Sequence, residues 1–425
     1  MILHELAWFI VVHAPRERFG HMVGKRVLLI VGGGVAAFKA LETARLLMTQ
    51  GFRVETVMTR AACEFIQPLS FASLTGARAH TEMFELNAEV EMGHIELSRS
   101  ADIVLVAPAT ADLMAKMAHG LATDLASTLL LATDKAVIIA PAMNVRMWEH
   151  PATQRNRATL QSDGIRIVGP VEGAMACGEF GAGRLSEPSD IAEAVISALT
   201  PNSLAGQRII VTSGPTREAI DPVRYLSNHS SGRQGVAIAQ ALARRGADVV
   251  FVTGPATFRK PLYCDIQNVE SAKEMYDAVM AALPASAAIF AAAVADWRPA
   301  HAASEKMKKV KGAAAMTFVE NPDILADIAQ LPSEKRPALV VGFAAETENL
   351  EAHATEKRAK KQCDWLVAND VSMASGVMGG DHNMVMLLSE EGLERWPRMD
   401  KTAVAELLAD RIAQALGNNA ARLSS

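Results

Sequence analysis

The sequence predicts an α/β chain of two doubly wound, Rossmann-like domains. Three observations carry that prediction. Short apolar runs of strand length alternate with helical patterns, the order expected of parallel sheets covered on both faces. The pattern breaks at a polar linker, TPNSLAG (200–206), and then starts again. The chain has 425 residues, half of them hydrophobic and 21% charged, which is enough for two such domains and their cores.

The elements follow in order. LAWFIVV (6–12) is apolar, but no basic segment precedes it and no small-residue cleavage site follows, so it is not read as a signal peptide. Residues 1–24 are read as an N-terminal extension, disordered or not native, with Met22 as the natural start. The first domain, 25–199, opens with the buried strand RVLLIV and a triple-glycine turn. A helix, VAAFKALETARLLMTQG, follows and ends at Gly51. RVETVMT, ADIVLVAPAT, KAVIIAPAM and GIRIVGP read as further strands. GAMACGEFGAGRL (173–185) has no apolar face and reads as a mobile, glycine-rich loop carrying Cys177. The second domain, 207–425, repeats the grammar with GQRIIVTSGPTRE, GVAIAQALARRG, ADVVFVTGP, SAAIFAAAVADW and PALVVGFAAET. Its last stretch, GLERWPRMDKTAVAELLADRIAQAL, reads as a short edge strand and a closing helix.

Composition excludes several classes. A net charge of -5 argues against a nucleic-acid-binding protein. Cys63, Cys177, Cys264 and Cys363 form no C-x-x-C pair, which fits a reducing, cytoplasmic setting better than a disulfide frame or a zinc ribbon. No apolar run approaches the ~20 residues of a membrane span.

Gly32 to Ala37 formally fits G-x-G-x-x-A, a glycine turn between a strand and a helix. Free N–H groups and the positive helix end there favour a phosphate. A nicotinamide dinucleotide would want a carboxylate at the end of the second strand, where this chain has Thr59. A flavin mononucleotide, another monophosphate, or a purely structural turn remain as readings of the loop alone.

Further motifs narrow the choice. GHIEL (93–97), APATAD (107–112), PAMN (141–144) and ACGEFGAGR (176–184), in that order, resemble the flavin-dependent phosphopantothenoylcysteine decarboxylases from about Lys25 to Leu199. Singly, each has a bland explanation: a structural histidine, an Asn-stabilised turn, a small core cysteine. The resemblance implies a homo-oligomeric fold with His94 as active-site base, Asn144 on the substrate carboxylate, and Cys177 as the acid that reprotonates an enethiol. It further implies FMN against Gly33, Gly34, Thr59 and a Ser127–Thr128 turn, with Met143 near the ring. Where relatives often carry serine, this chain has Gly32, one hydroxyl fewer near the phosphate. The residue types suit the chemistry. Decarboxylation needs an electron sink that thiol oxidation by a flavin supplies, and a thiol of ordinary pKa ~8.5 is protonated at neutral pH.

The second half carries TSGPTREAIDPVRYLSNHSSGRQG (212–235), in which Ser213, Gly214, Thr216, Ser230, Ser231 and Gly232 precede a helix as an anion-binding arrangement. AAAVADWRP (291–299), EKMKKVKG (305–312) and ENPDIL (320–325) follow. Lys306, Lys308, Lys309 and Lys311 read either as a solvated basic loop or as a clamp on a triphosphate. Together with GFAAET these stretches resemble the bacterial, CTP-using phosphopantothenate–cysteine ligases over about Gly206 to Asp370. That resemblance implies that Asn228 acts on an acyl-cytidylate and that Lys306 supports its formation. Ala291, Ala292, Asp296, Lys306, Asn321, Pro322, Asp323, Ile324, Phe343, Lys357 and Lys361 would line the CTP site. Magnesium is expected with the triphosphate, on ligands the sequence does not fix.

The two resemblances imply a bifunctional enzyme of coenzyme A biosynthesis: ligation of cysteine to 4'-phosphopantothenate, then decarboxylation of the product. Its partners would be those small molecules, with no nucleic acid and no membrane. The rival readings are an NAD(P)-dependent oxidoreductase and a non-enzymatic regulatory flavoprotein.

Overall fold

In the computed structural model of the chain, the described residues are 24–82, 93–175, 178–307, 316–346, 350–370, 382–383 and 385–423. They divide after Thr200 into two compact units.

The first unit is built on β1 (Arg26–Val31), which follows the apolar run closely. Every residue from Val27 to Val31 is buried because the two sides of the strand face different cores. Val27, Leu29 and Val31 pack on α1 (Phe38–Thr49) and, later in the chain, α9 (Pro188–Leu199). Leu28 and Ile30 pack with Leu97, Leu113 and Leu129 on the other side. In order, β2 (Arg53–Met58), α2 (Arg60–Cys63), α3 (Pro68–Thr75), β3 (Ala79–His80) and α4 (Gly93–Ser100) come next. Then β4 (Ile103–Ala109), α5 (Ala111–Ala118), α6 (Leu125–Ala132), β5 (Val137–Pro141), α7 (Val145–Glu149), α8 (Pro151–Ser162) and β6 (Arg166–Ile167) complete the sheet and its cover. The strand order β3-β2-β1-β4-β5-β6 is parallel throughout, a doubly wound sheet with its switch between β1 and β4.

Two expectations are revised. GIRIVGP pairs as a strand only over Arg166–Ile167. The glycine-rich stretch is not a featureless loop: β7 (Val171–Ala174) and β8 (Phe180–Arg184) form an antiparallel hairpin.

The second unit repeats the winding. Its strands and helices run β9 (Arg208–Ser213), β10 (Arg217–Ala219), β11 (Tyr225–Ser227), α10 (Arg233–Arg244), β12 (Asp248–Thr253), β13 (Asp265–Asn268), α11 (Ala272–Ala281) and β14 (Ala287–Phe290). They continue with β15 (Trp297–Pro299), β16 (Phe318–Glu320), α12 (Ile324–Ala329), β17 (Leu339–Glu346), α13 (Leu350–Lys361) and β18 (Trp365–Asp370). The last are β19 (His382–Asn383), β20 (Val385–Ser389), β21 (Gly392–Arg395), β22 (Met399–Asp400) and α14 (Lys401–Leu423). The main sheet is ordered β13-β12-β9-β14-β17-β18-β20-β21, parallel up to β18 and antiparallel beyond it. Alternate residues of β9 again feed two cores: Ile209 and Val211 meet α10 and α14, and Ile210 meets α11 and α12.

A buried ion network ties α10 to α14. Arg244 and Arg245 both bond Glu406, at 2.7 and 2.6 Å, and Arg245 also reaches Asp410 at 2.7 Å. No helix among the described residues is long and apolar enough to cross a membrane.

Candidate active sites

The first site grows from the glycine turn after β1. A Cβ on Gly32 would stand 2.5 Å from the Pro108 carbonyl, and one on Gly33 would stand 2.4 Å from the Ala61 Cβ. Both positions are therefore glycine for packing, and serine at position 32 would collide with backbone. Gly34 instead faces open space, so its main chain is approachable from outside. Two cavities flank the turn. One, about 570 Å³, is lined by Gly33, Gly34, Met143 and Asn144 together with Lys39, Thr110 and Arg184.

 The other, about 590 Å³, is lined by Gly33, Thr59 and Thr110 with Lys116 and Asp124. Thr59 caps α2, its hydroxyl accepting from Ala62 N at 3.2 Å.

Asn144 sits at the start of α7, where its Oδ1 accepts from Arg146 N at 2.7 Å. Its Nδ2 donates to the Glu179 carboxylate, so the PAMN turn grips the hairpin tip. The hairpin is gripped along its length as well. Met143 N donates to Gly183 O at 3.0 Å. A Cβ on Gly183 would meet the Met143 carbonyl at 2.4 Å, and one on Gly181 would meet Val145 Cγ2 at 2.8 Å. These glycines are contact surfaces rather than hinges. Gly178, with φ +82° and open space around it, is glycine for its backbone conformation alone, whereas Gly181, with φ +152°, combines such a conformation with its contact.

Cys177 lies outside the described residues. His94 falls in the first turn of α4, and its side chain is likewise outside them. Ser127 and Thr128 belong to the first turn of α6 rather than to a free turn, and neither lines the two cavities. The Ser127 hydroxyl is occupied in a capping box with Asp124, while Thr128 Oγ1 is buried without a hydrogen-bond partner. Burial pushes the Asp124 carboxyl up, but its bonds from Lys116 and Ser127 outweigh this and hold it below its ordinary value. Sequence reasoning assigned no role to Lys39, Thr110 or Arg184, although Thr110 lies within APATAD and Arg184 ends ACGEFGAGR, because only the fold brings the three to one cavity.

In the second unit the site lies at the switch between β9 and β14, beyond the carboxyl ends of the strands. The segment after β14 is its spine. Ala291 N and Ala292 N donate to Thr212, at 3.2 Å to the carbonyl and 3.3 Å to the hydroxyl. Asn228 Nδ2 donates to Val294 O at 2.9 Å. Asn321 closes the other flank: its Nδ2 donates to Ala295 O at 2.8 Å and its N–H to Asp296 O at 2.9 Å. Asp323 caps α12 through Ala326 N at 3.2 Å and pairs with Lys361. Of the expected residues, Ala291, Ala292 and Asp296 thus lie on the segment after β14, Asn228 and Asn321 bond to that segment, and Asp323 and Lys361 form a separate pair.

Other expected residues take no part in these bonds. Ile324 is buried in the core, Pro322 and Phe343 are half-buried, and Lys357 lies on α13 with Lys361. Lys306 is exposed. Its neighbour Met307 is held at both ends of its backbone: its N–H donates to Asp221 at 3.2 Å and its carbonyl accepts from Arg224 at 3.3 Å. The Arg224 guanidinium holds the buried Asp221 carboxyl well below the usual carboxylate range. Lys308, Lys309 and Lys311 lie outside the described residues. Ser213 and Thr216 are buried and already bonded: Ser213 donates to Gly232 O at 3.0 Å, just before α10, and Thr216 accepts from Ala295 N at 3.1 Å. Among the described residues no group of three or more His, Cys, Asp or Glu could hold a metal ion.

The comparisons with known proteins divide the chain the same way. A family described as "Flavoprotein" matches residues 16–200, and the "DNA/pantothenate metabolism flavoprotein C-terminal domain" matches 204–416. The chain is 44% identical over 400 residues to the coenzyme A biosynthesis bifunctional protein CoaBC of Vibrio vulnificus strain YJ016, covering 93% of this chain and 99% of that protein. It is 44% identical over 396 residues to the Escherichia coli K12 protein of that name, covering 92% and 97%. For Bacillus subtilis strain 168 the figures are 39% over 395 residues, 92% and 97%. Among solved structures, a C-terminal domain of a CoaBC protein is 35% identical, covering 51% of this chain and 99% of its own at a TM-score of 0.43.

Proposed function

This chain belongs to the family of coenzyme A biosynthesis bifunctional proteins, and on that premise we propose how its residues divide the work. The second unit ligates cysteine to 4'-phosphopantothenate. The carboxylate attacks the α-phosphorus of CTP and pyrophosphate leaves; the cysteine amine then displaces CMP from the acyl-cytidylate. Lys306 stabilises the departing pyrophosphate, and Asn228 acts on the acyl-cytidylate. Ala291, Ala292, Asp296, Asn321, Pro322, Asp323, Phe343, Lys357 and Lys361 bound the nucleotide, with Ile324 supporting from the core. Magnesium enters with the triphosphate, whose oxygens and water supply most of its ligands.

The first unit decarboxylates 4'-phosphopantothenoylcysteine to 4'-phosphopantetheine. FMN, when bound, supplies the two-electron oxidation and return that make the carboxylate labile. Gly33, Gly34 and Thr59 would hold its phosphate, and Met143 would lie beside its ring. Asn144 holds the substrate carboxylate, His94 takes a proton, and Cys177 returns one to carbon after carbon dioxide has left. The observation that carries this reading is the Asn144–Glu179 bond, which ties the carboxylate-holding turn to the hairpin tip two residues from Cys177.

The protein works in the cytoplasm as a homo-oligomer. The test is incubation with 4'-phosphopantothenate, cysteine, magnesium and either CTP or ATP, followed by mass analysis. Phosphopantetheine, CMP and pyrophosphate formed with CTP support the reading. Formation of neither phosphopantothenoylcysteine nor phosphopantetheine with either nucleotide overturns the ligase half, and failure to convert supplied phosphopantothenoylcysteine overturns the other.

A further inference from the structure

We propose that Lys39 and Arg184 form a subsite for the terminal phosphate of the decarboxylase substrate, separate from the site of the flavin phosphate. The proposal rests on the decarboxylase reading of the first unit.

Three observations carry it. Lys39, on α1, and Arg184, at the end of β8, converge on a single carboxylate oxygen: Glu187 Oε1 is 3.1 Å from Lys39 Nζ and 2.7 Å from Arg184 Nη2. Two cations thus share one anion, and the cluster keeps a net positive charge. Glu187 precedes α9, yet its side chain makes no capping bond to that helix. The cluster is also built into the cavity wall. The Lys39 side chain is only 13% exposed. Gly173 lies under Arg184, where a Cβ would stand 3.3 Å from Arg184 Cδ, so the absence of a side chain there lets the arginine lie across the hairpin.

The third observation is the company the cluster keeps. Lys39 and Arg184 line the same 570 Å³ cavity as Asn144, whereas Thr59 lines the cavity on the other side of Gly33. The substrate is an anion at both ends, a carboxylate at the cysteine and a phosphomonoester at the far end of the arm. One cavity offering an amide for the first and a guanidinium with an ammonium for the second matches that charge pattern. Thr59 and the backbone of the glycine turn remain for the flavin phosphate.

The test compares phosphorylated with dephosphorylated pantothenoylcysteine in the full-length, flavin-loaded protein and in Lys39→Gln and Arg184→Gln variants. The ratio of kcat/KM between the two substrates is expected to fall at least tenfold in each variant, through KM. Inorganic phosphate should compete with the phosphorylated substrate in the unsubstituted protein and more weakly in the variants. An unchanged ratio overturns the proposal. So does parallel loss of bound flavin absorbance, which would assign the cluster to the flavin phosphate. Failure of the unsubstituted protein to decarboxylate either substrate would instead sink the underlying reading. If Arg184→Gln does not fold, Lys39→Gln on its own decides the matter.

Discussion

The two units share a winding but build their sites differently. In the first, glycines let main chain touch main chain: Gly32 against Pro108, Gly183 against Met143. Contact shapes the cavity, and Lys39, Thr110, Asn144 and Arg184 are its polar groups in an otherwise mainly apolar lining. In the second, side-chain amides and carboxylates bond to backbone, as Asn228 does to Val294 and Asn321 to Ala295. The difference teaches that one scaffold can fix a site by steric fit or by side-chain hydrogen bonds to backbone. A flat, largely apolar cofactor suits the first means, and a charged nucleotide suits the second.

The largest effect should come from Cys177→Ser. Decarboxylation is expected to fall by about 10²–10⁴ with bound flavin retained, as for loss of a general acid. Single-turnover product analysis checks it, and full retained activity would remove Cys177 from the chemistry. Next, Asn228→Asp should lower ligation by about 10²–10³ while supplied phosphopantothenoylcysteine is still decarboxylated. Loss of both activities would mean that the units are not separable in this way.

The comparison of building methods has its own tests in stability. Glu406→Ala should destabilise the second unit by about 3–5 kcal/mol, because it removes the carboxylate that two buried guanidinium groups share. Gly183→Ala should cost the first unit about 1–3 kcal/mol, since a methyl must displace the Met143 carbonyl. Thermal unfolding followed beside both activities should show each change confined to its own reaction. An equal loss of both would contradict the division.

The smallest effect concerns pH. The folded pKa of Asp221 is depressed, so its contribution to stability is complete above the ordinary carboxylate value of about 3.9. It is lost only as pH falls through the lower folded value. Ligation should therefore show no acid limb from Asp221 between about pH 5 and 4, and a limb there that vanishes in Asp221→Asn would contradict this.

Much of the fold was legible in the sequence. The central strands announce themselves because both faces are buried, leaving unbroken runs such as RVLLIV and IVLVAPA. The β7–β8 hairpin was not legible. VEGA and FGAGR lack alternation, and Phe180 is 73% exposed, so no buried face marks them as strands. Asp221 and Arg224 were visible only as letters in a motif. Their grip on Met307 spans more than eighty residues of chain.

The sequence by itself determined the layer architecture and the order of the strands' apolar runs. Each depends on which residues leave water, and that is written in local pattern. The tertiary structure alone decided which glycines are contacts and which are turns, that Asn144 reaches Glu179, and that Lys39 and Arg184 meet at one carboxylate. Those facts depend on distances between elements far apart in the chain, and packing sets such distances only after the sheet has formed.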